Sequence, residues 1–299
     1  MDAFRQMIVI TIARLCLLAF LLCPFSGAQP AEESAEELVR RVVANELKAQ
    51  EEDHSHWMFR LQSEGRDGAT QVEEVVQTKT GDLKRPIMIN GRELTAQEQE
   101  QADQRIEQLI RNPAARRKGA KEKNEDQVRS QRLLKMMPDA FLFRCGERRG
   151  DVVQLNFRPN PHFKPRTREA QVFHAMEGSI SLDSKRNRLA EISGHLTREV
   201  KFAGGLLGHL DEGGQFDVKQ AEVAPGYWEL TVLNLQMKGK ALFFKTIGAQ
   251  QKFYKSNFKL VPDDLTMAQS AALLRKQAPS HPQSTAQPKP VSRLQGVDF

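Results

Sequence analysis

His54 and His56 flank Ser55 just after Asp53, and they are the residues whose spacing comes nearest to a metal site. At strand spacing both imidazoles leave on one face, and two such nitrogens can hold a metal if further ligands converge from elsewhere. The ordinary alternative is a polar junction between a helix and a strand. His162, His174, His195 and His209 are scattered among strand and turn segments, where a lone histidine is usually a surface or hydrogen-bonded residue. Asp183, Asp211, Glu212, Asp263 and Asp264 fall in turns or ahead of helices, positions where a carboxylate accepts backbone N–H groups. The chain has no H-E-x-x-H, C-x-x-C, G-x-S-x-G, phosphate-binding loop or dinucleotide fingerprint. No catalytic residue, metal or cofactor is therefore expected. A hydrolase stands third among the readings and would need a carboxylate and a histidine clustered in a polar pocket.

Cysteine usage and the first residues bear on compartment. Charged Asp2 and Arg5 precede an apolar run from Met7 to Cys23, interrupted by Thr11 and Arg14, and small residues Ser26 and Ala28 close it. This is the pattern of a secretory signal peptide over residues 1–28, cleaved after Ala28. An uncleaved anchor competes, because a run of this length at about 1.5 Å per residue approaches the roughly 30 Å hydrocarbon core. A lipid-attachment signal fits less well, since Leu21-Leu22 precede Cys23 where a small residue is wanted. Cleavage leaves Cys145 alone, which excludes an intrachain disulfide. Cys145 follows Phe141-Leu142-Phe143-Arg144 and is expected to be a packed thiol.

The chain has 299 residues, an apolar content of 39% and a net charge of +6, which suits a water-soluble domain with its own core. Leu38, Val39, Val42, Val43 and Leu47 recur at helical spacing and predict an amphipathic helix over 34–51. Strands at 57–62 and 71–80 follow as a hairpin about Gly65-Arg66-Asp67-Gly68, and 86–91 is a short strand closing on a turn. Thr95 and Glu98 form a capping box for a helix ending at Asn112-Pro113. Residues 113–125 carry Arg116, Arg117, Lys118, Lys121 and Lys123, read as a solvated linker or helix surface, with an anionic-lipid patch as the alternative. Lack of interleaved aromatics argues against nucleic acid. A helix over 124–136 stops before Pro138, so that 113–137 forms a basic helical or linker insertion.

Beyond Pro138 the pattern is almost entirely β. Val153, Leu155 and Phe157 alternate with polar residues, Pro159 to Arg168 is an exposed excursion, and Met176, Gly178, Ile180 and Leu182 share a face. Leu196, Val200 and Phe202 are grouped on one strand face, and Phe216 and Val218 on another. In 227–237 the apolar set changes phase, from Trp228, Leu230 and Val232 to Leu233, Leu235 and Met237, as a β-bulge requires. Lys240 to Ile247 reads as a central strand about Leu242-Phe243-Phe244. Tyr254, Ser256, Phe258 and Leu260 alternate with Lys255, Asn257 and Lys259 as a strand with one wet face. A second capping box, Thr266 and Gln269, opens a helix over 266–278, and 279–299 has the composition of a disordered tail.

The strings Met176-Glu177-Gly178-Ser179-Ile180-Ser181-Leu182-Asp183 and Leu189-Ala190-Glu191-Ile192-Ser193-Gly194-His195-Leu196 carry a resemblance, with Val200-Lys201-Phe202, Gly226-Tyr227-Trp228 and Gly239-Lys240-Ala241-Leu242-Phe243-Phe244 after them. Together with Ile89-Asn90-Gly91 and Leu94-Thr95, this succession resembles bacterial outer-membrane lipoprotein-sorting-like proteins, the LolA/LolB-like superfamily. The likeness spans roughly 34–262. It implies an α+β, β-rich fold in which a curved antiparallel sheet, an incomplete β-barrel, is wrapped over amphipathic helices, with one such domain over 29–265. It also implies an apolar interior that receives acyl chains. The expected function is a non-enzymatic periplasmic binding or carrier protein sheltering a lipid or lipidated partner, with transient contact at a membrane surface. Phe143, Val153, Leu155, Phe157, Met176, Ile180, Phe202, Trp228 and Leu230 are the candidate apolar liners. An envelope scaffold with a packed core, no ligand and a protein partner is the alternative.

Overall fold

The computed structural model describes residues 33–65, 67–205, 207–241 and 250–276. The expected signal peptide, most of the strand expected about Leu242-Phe243-Phe244 and the expected tail lie outside the described residues. The described residues between Ala35 and Lys276 form one compact unit. Its fold is α+β and β-rich.

Helix α1 (Ala35–Glu52) carries Glu36 and Glu37 in its first turn, where they complement the helix dipole, and it buries Leu38, Val39, Val42 and Val43. Burial of each such side chain contributes about 1.5–3 kcal/mol. Strands β1 (His56–Glu64), β2 (Thr70–Val76), β3 (Leu83–Ile89) and β4 (Arg92–Glu93) form an antiparallel meander. Helix α2 (Ala96–Arg111) opens on the expected capping box: the Thr95 hydroxyl accepts from Glu98 N–H, and the Glu98 carboxylate accepts from Thr95 N–H at 2.8 Å. Helix α3 (Pro113–Ala140) begins with the Asn112 side chain accepting from Ala115 N–H and with proline at its first position.

Then come β5 (Phe141–Arg149), β6 (Val152–Pro159), the short helix α4 (Arg168–Phe173), β7 (Met176–Asp183) and β8 (Arg188–Leu196). Short β9 (Val200–Lys201), β10 (Gly208–Leu210) and β13 (Gly239–Ala241) make a separate three-stranded sheet. Strands β11 (Gln215–Ala224), β12 (Tyr227–Gln236) and β14 (Gln250–Val261) complete the main one, and helix α5 (Met267–Lys276) follows with the Thr266–Gln269 box formed. The main sheet has 11 strands in the order β4-β3-β2-β1-β14-β12-β11-β8-β7-β6-β5, all antiparallel. Its edges, β4 and β5, do not pair with each other, so the sheet is open.

Alternation along the strands decides what packs where. Met58, Val76 and Leu83 point to α2 and α5, meeting Ile106, Ala271 and Leu274. Their neighbours Trp57, Phe59 and Val75 leave on the other face and gather with Phe258 and Leu61. In the other half, the α1 stripe packs with Phe141, Phe143, Val153, Leu155, Phe157, Ile180 and Leu182.

Four expectations are corrected. Residues 113–140 are one continuous helix, and Pro138 lies buried in its last turn, where a single lost hydrogen bond is offset by packing of Met137, Pro138 and Ala140. Leu196, Val200 and Phe202 do not share a strand: Leu196 ends β8, Val200 lies in β9 and Phe202 starts a 3-10 turn containing Ala203 at φ 50°. Cys145 is exposed, because burial along β5 stops at Phe143. Asn257 sits at φ 57°, and between Met58 and Arg60 the β14 partner jumps from Lys259 to Ser256. This irregularity ends the simple alternation expected there, leaving Tyr254 and Leu260 exposed and Phe258 against Trp57 and Phe59.

The bulge expected in 227–237 is present. Lys219 pairs with Val232 and Gln220 with Leu230, so Thr231 is the extra residue. The Thr231 hydroxyl donates to the Lys219 carbonyl at 3.3 Å. Through this slip Trp228, Leu230, Leu233 and Leu235 stand opposite Glu222, Gln220, Val218 and Phe216 and occupy one face.

Candidate functional site

That face is one wall of a cavity of about 1580 Å³. Sites for drug-sized ligands are typically about 300–1,000 Å³. The sheet supplies Ile192, Phe216, Val218, Leu230, Leu233 and Leu235; helix α3 supplies Leu133, Leu134 and Met137; α4 supplies Val172 and Phe173. Room for these side chains is prepared by Gly178 and Gly194, which face each other on β7 and β8. A Cβ on Gly194 would lie 2.3 Å from the Glu177 carbonyl oxygen and 2.9 Å from the Phe216 ring.

Trp228 is held by a buried ion pair. Glu46 on α1 is fully buried and accepts two hydrogen bonds from the Arg188 guanidinium, at 2.8 and 3.1 Å, and one from Leu189 N–H at 2.7 Å. The same guanidinium lies 5.3 Å from the centre of the Trp228 ring. Cationic groups over an indole face are attracted by its quadrupole.

One end of the cavity is polar and reaches solvent, with exposed Glu52, Asp53, His54, Lys79 and Asp263 among its lining residues. Here the His56 ring lies 3.3 Å from Asp263, and Lys123 of α3 donates to both carboxylate oxygens of Asp82 at 3.1 Å. Lys255 lies 4.9 Å from the Phe59 ring centre and 5.7 Å from that of Phe253. Burial drives the Lys255 ammonium below the ordinary lysine range, partly offset by Glu229. The Glu229 carboxyl is driven above its range, again by burial, with Lys255 opposing.

No family model, curated protein or solved structure matches this chain.

Of the nine residues expected to line an apolar interior, the structure places Met176, Trp228 and Leu230 on the cavity. Phe143, Val153, Leu155, Phe157, Ile180 and Phe202 are instead packed into solid core with the α1 stripe. Alternation shows which face of a strand is apolar, but not whether a helix or open space lies opposite. The phase change in 227–237 was the signal that could have found Leu233 and Leu235. Nothing in the sequence marks Leu133, Leu134 and Met137 of α3, which line the same cavity as Leu230 and Leu233 of β12 far along the chain.

The histidine pair is split in role. His54 is exposed, while His56 pairs with Asp263, and among the described residues no group of three or more His, Cys, Asp or Glu is gathered to hold a metal. No hydroxyl or thiol is hydrogen-bonded to the His56 ring among the described residues; the neighbouring Ser55 hydroxyl accepts the Trp57 indole N–H at 2.8 Å. Asp183 caps its turn, accepting from Lys185 and Arg186 N–H. Among the described residues no helix is long and apolar enough to cross a membrane.

Proposed function

We propose that this protein is an exported, periplasmic, non-enzymatic carrier that shelters acyl chains of a lipid or lipidated partner in the cavity between its sheet and α1, α3 and α4. The observation carrying this reading is the cavity itself: large, walled by aliphatic and aromatic side chains, and open at one polar end. Each methylene moved from water into such a wall contributes about 0.8 kcal/mol, so a few acyl carbons give useful yet reversible affinity. The cavity also favours a carrier over a scaffold with a packed core.

In this reading the open sheet is an incomplete barrel wrapped over α1 and α3, in the manner of the LolA/LolB-like proteins. Contacts of α1 with β5, β8 and α3 support that arrangement, as do the unpaired edges β4 and β5. Export rests on the apolar leader at 7–23 and the small residues Ser26 and Ala28.

The test is to express the full chain, purify the exported protein, extract it into organic solvent for mass spectrometry, and titrate the delipidated protein with an acyl fluorophore. Co-purifying lipid and saturable binding, with binding lost in Leu230→Asp, are the expected results. A protein that carries no lipid and shows no saturable binding is not a carrier.

A further inference from the structure

The charged groups at the polar end of the cavity fall into two classes. Most are already engaged within the protein: Lys123 by Asp82, His56 by Asp263, Arg188 by Glu46, and Asp53 by the backbone N–H of Ser55 at 2.8 Å. Glu229, Lys255 and, on α4, Glu169 are not: they are half-buried, line the cavity, and among the described residues their side chains make no hydrogen bond or ion pair. Of these, Glu229 and Lys255 are near enough to act on each other's charge. Lys255 rests over the Phe59 and Phe253 rings, which fix a cation without neutralising it.

Charges removed from water are costly unless paired. Here burial weakens the charged form of both groups. A ligand that presents one charge of each sign would satisfy both at once, whereas a simple fatty acid would pair with Lys255 and be repelled by Glu229. A neutral glyceride would satisfy neither.

Resting on the carrier reading above, we infer that the cavity selects a lipid with a zwitterionic head, its phosphate received by Lys255 and its amine by Glu229. The acyl chain then runs along Leu230 and Leu233 toward α3. The ligand class is thus a phospholipid of the ethanolamine type rather than a free fatty acid.

The test compares three probes of equal chain length below their micellar concentrations: palmitoyl lysophosphatidylethanolamine, palmitate and monopalmitoyl glycerol. Binding to the delipidated protein is followed by calorimetry and by tryptophan emission, to which Trp228 on the cavity wall contributes. Lysophosphatidylethanolamine should bind about tenfold more tightly than palmitate, because it alone offers Glu229 a cationic partner as well as giving Lys255 an anionic one. Glu229→Gln should narrow that gap by improving palmitate binding. Lys255→Met should weaken lysophosphatidylethanolamine and leave the glyceride unchanged, and Lys255→Arg should retain the preference, which separates loss of charge from misfolding. Equal binding of all three probes, indifferent to these variants, would overturn the zwitterion inference and leave the carrier reading standing. Failure of all three, the glyceride included, would overturn both.

Discussion

The carboxylate of Glu46 and the guanidinium of Arg188 form a two-pronged pair, at 2.8 and 3.1 Å, that ties α1 to the first residue of β8. Glu46 is wholly buried, and the Leu189 N–H adds a third donor. Arg188 also lies over Trp228, so one pair fixes a helix, a strand and a residue of the cavity wall.

Truncating one partner leaves the other charged, buried and unpaired. Glu46→Ala should therefore cost about 3–5 kcal/mol in urea unfolding. The double variant Glu46→Leu/Arg188→Met should recover much of that loss, because two apolar groups leave no orphaned charge. A single-variant cost under about 1 kcal/mol would show that water takes over the missing partner's role.

Local rules were legible wherever one residue's chemistry decides the outcome. Thr95 and Glu98 announced the start of α2, the α1 stripe showed its buried face, and the phase change at 227–237 revealed the Thr231 bulge. Failures came where tertiary packing overrides local preference. Pro138 and the basic run hid the continuity of α3, and the Asn257 irregularity could not be seen because Lys255 and Lys259 keep a regular polar spacing on either side of it. The cavity was least legible of all. Leu155 and Leu233 look alike in an alternating strand, yet the first meets the core and the second meets open space.

Glycine has opposite meanings at two positions. On Gly194 a side chain would strike the Glu177 carbonyl and the Phe216 ring, so Gly194→Val should destabilise by about 1–3 kcal/mol or more. Gly119 lies within α3 with nothing within 4 Å of a Cβ, so Gly119→Ala should stabilise by about 0.5–1 kcal/mol. Paired urea melts of the two variants give the measurement, and a harmless Gly194→Val would mean that β7 and β8 can separate there.

Glu98 provides a pH marker on the surface. Its carboxylate accepts from both Arg92 terminal nitrogens, at 2.7 and 2.8 Å, and from Thr95 N–H, and with Arg92 as the largest cause its pKa falls to about 2. A depressed carboxyl favours the folded state above its unfolded pKa of about 4.3, and that contribution fades as pH falls toward and through about 2. Carbon-detected NMR titration should find the Glu98 midpoint near 2, and Arg92→Met should move it up toward the ordinary range. A midpoint near 4.3 in the unaltered protein would show that the fork to Arg92 does not persist in solution.

Cavity and core can be told apart by pairing one substitution in each. Leu233 borders the cavity, so Leu233→Trp adds its volume to open space and should leave urea stability within about 0.5 kcal/mol. Displacing the room of even two methylenes should weaken acyl-probe binding about tenfold. Leu155 is fully buried among packed side chains, and Leu155→Ala should cost about 2–5 kcal/mol by leaving a void, while the folded fraction binds the probe as before. The reverse pattern, with Leu233→Trp unfolding the protein and Leu155→Ala abolishing binding, would place the acyl chain in the α1 core and not against β12.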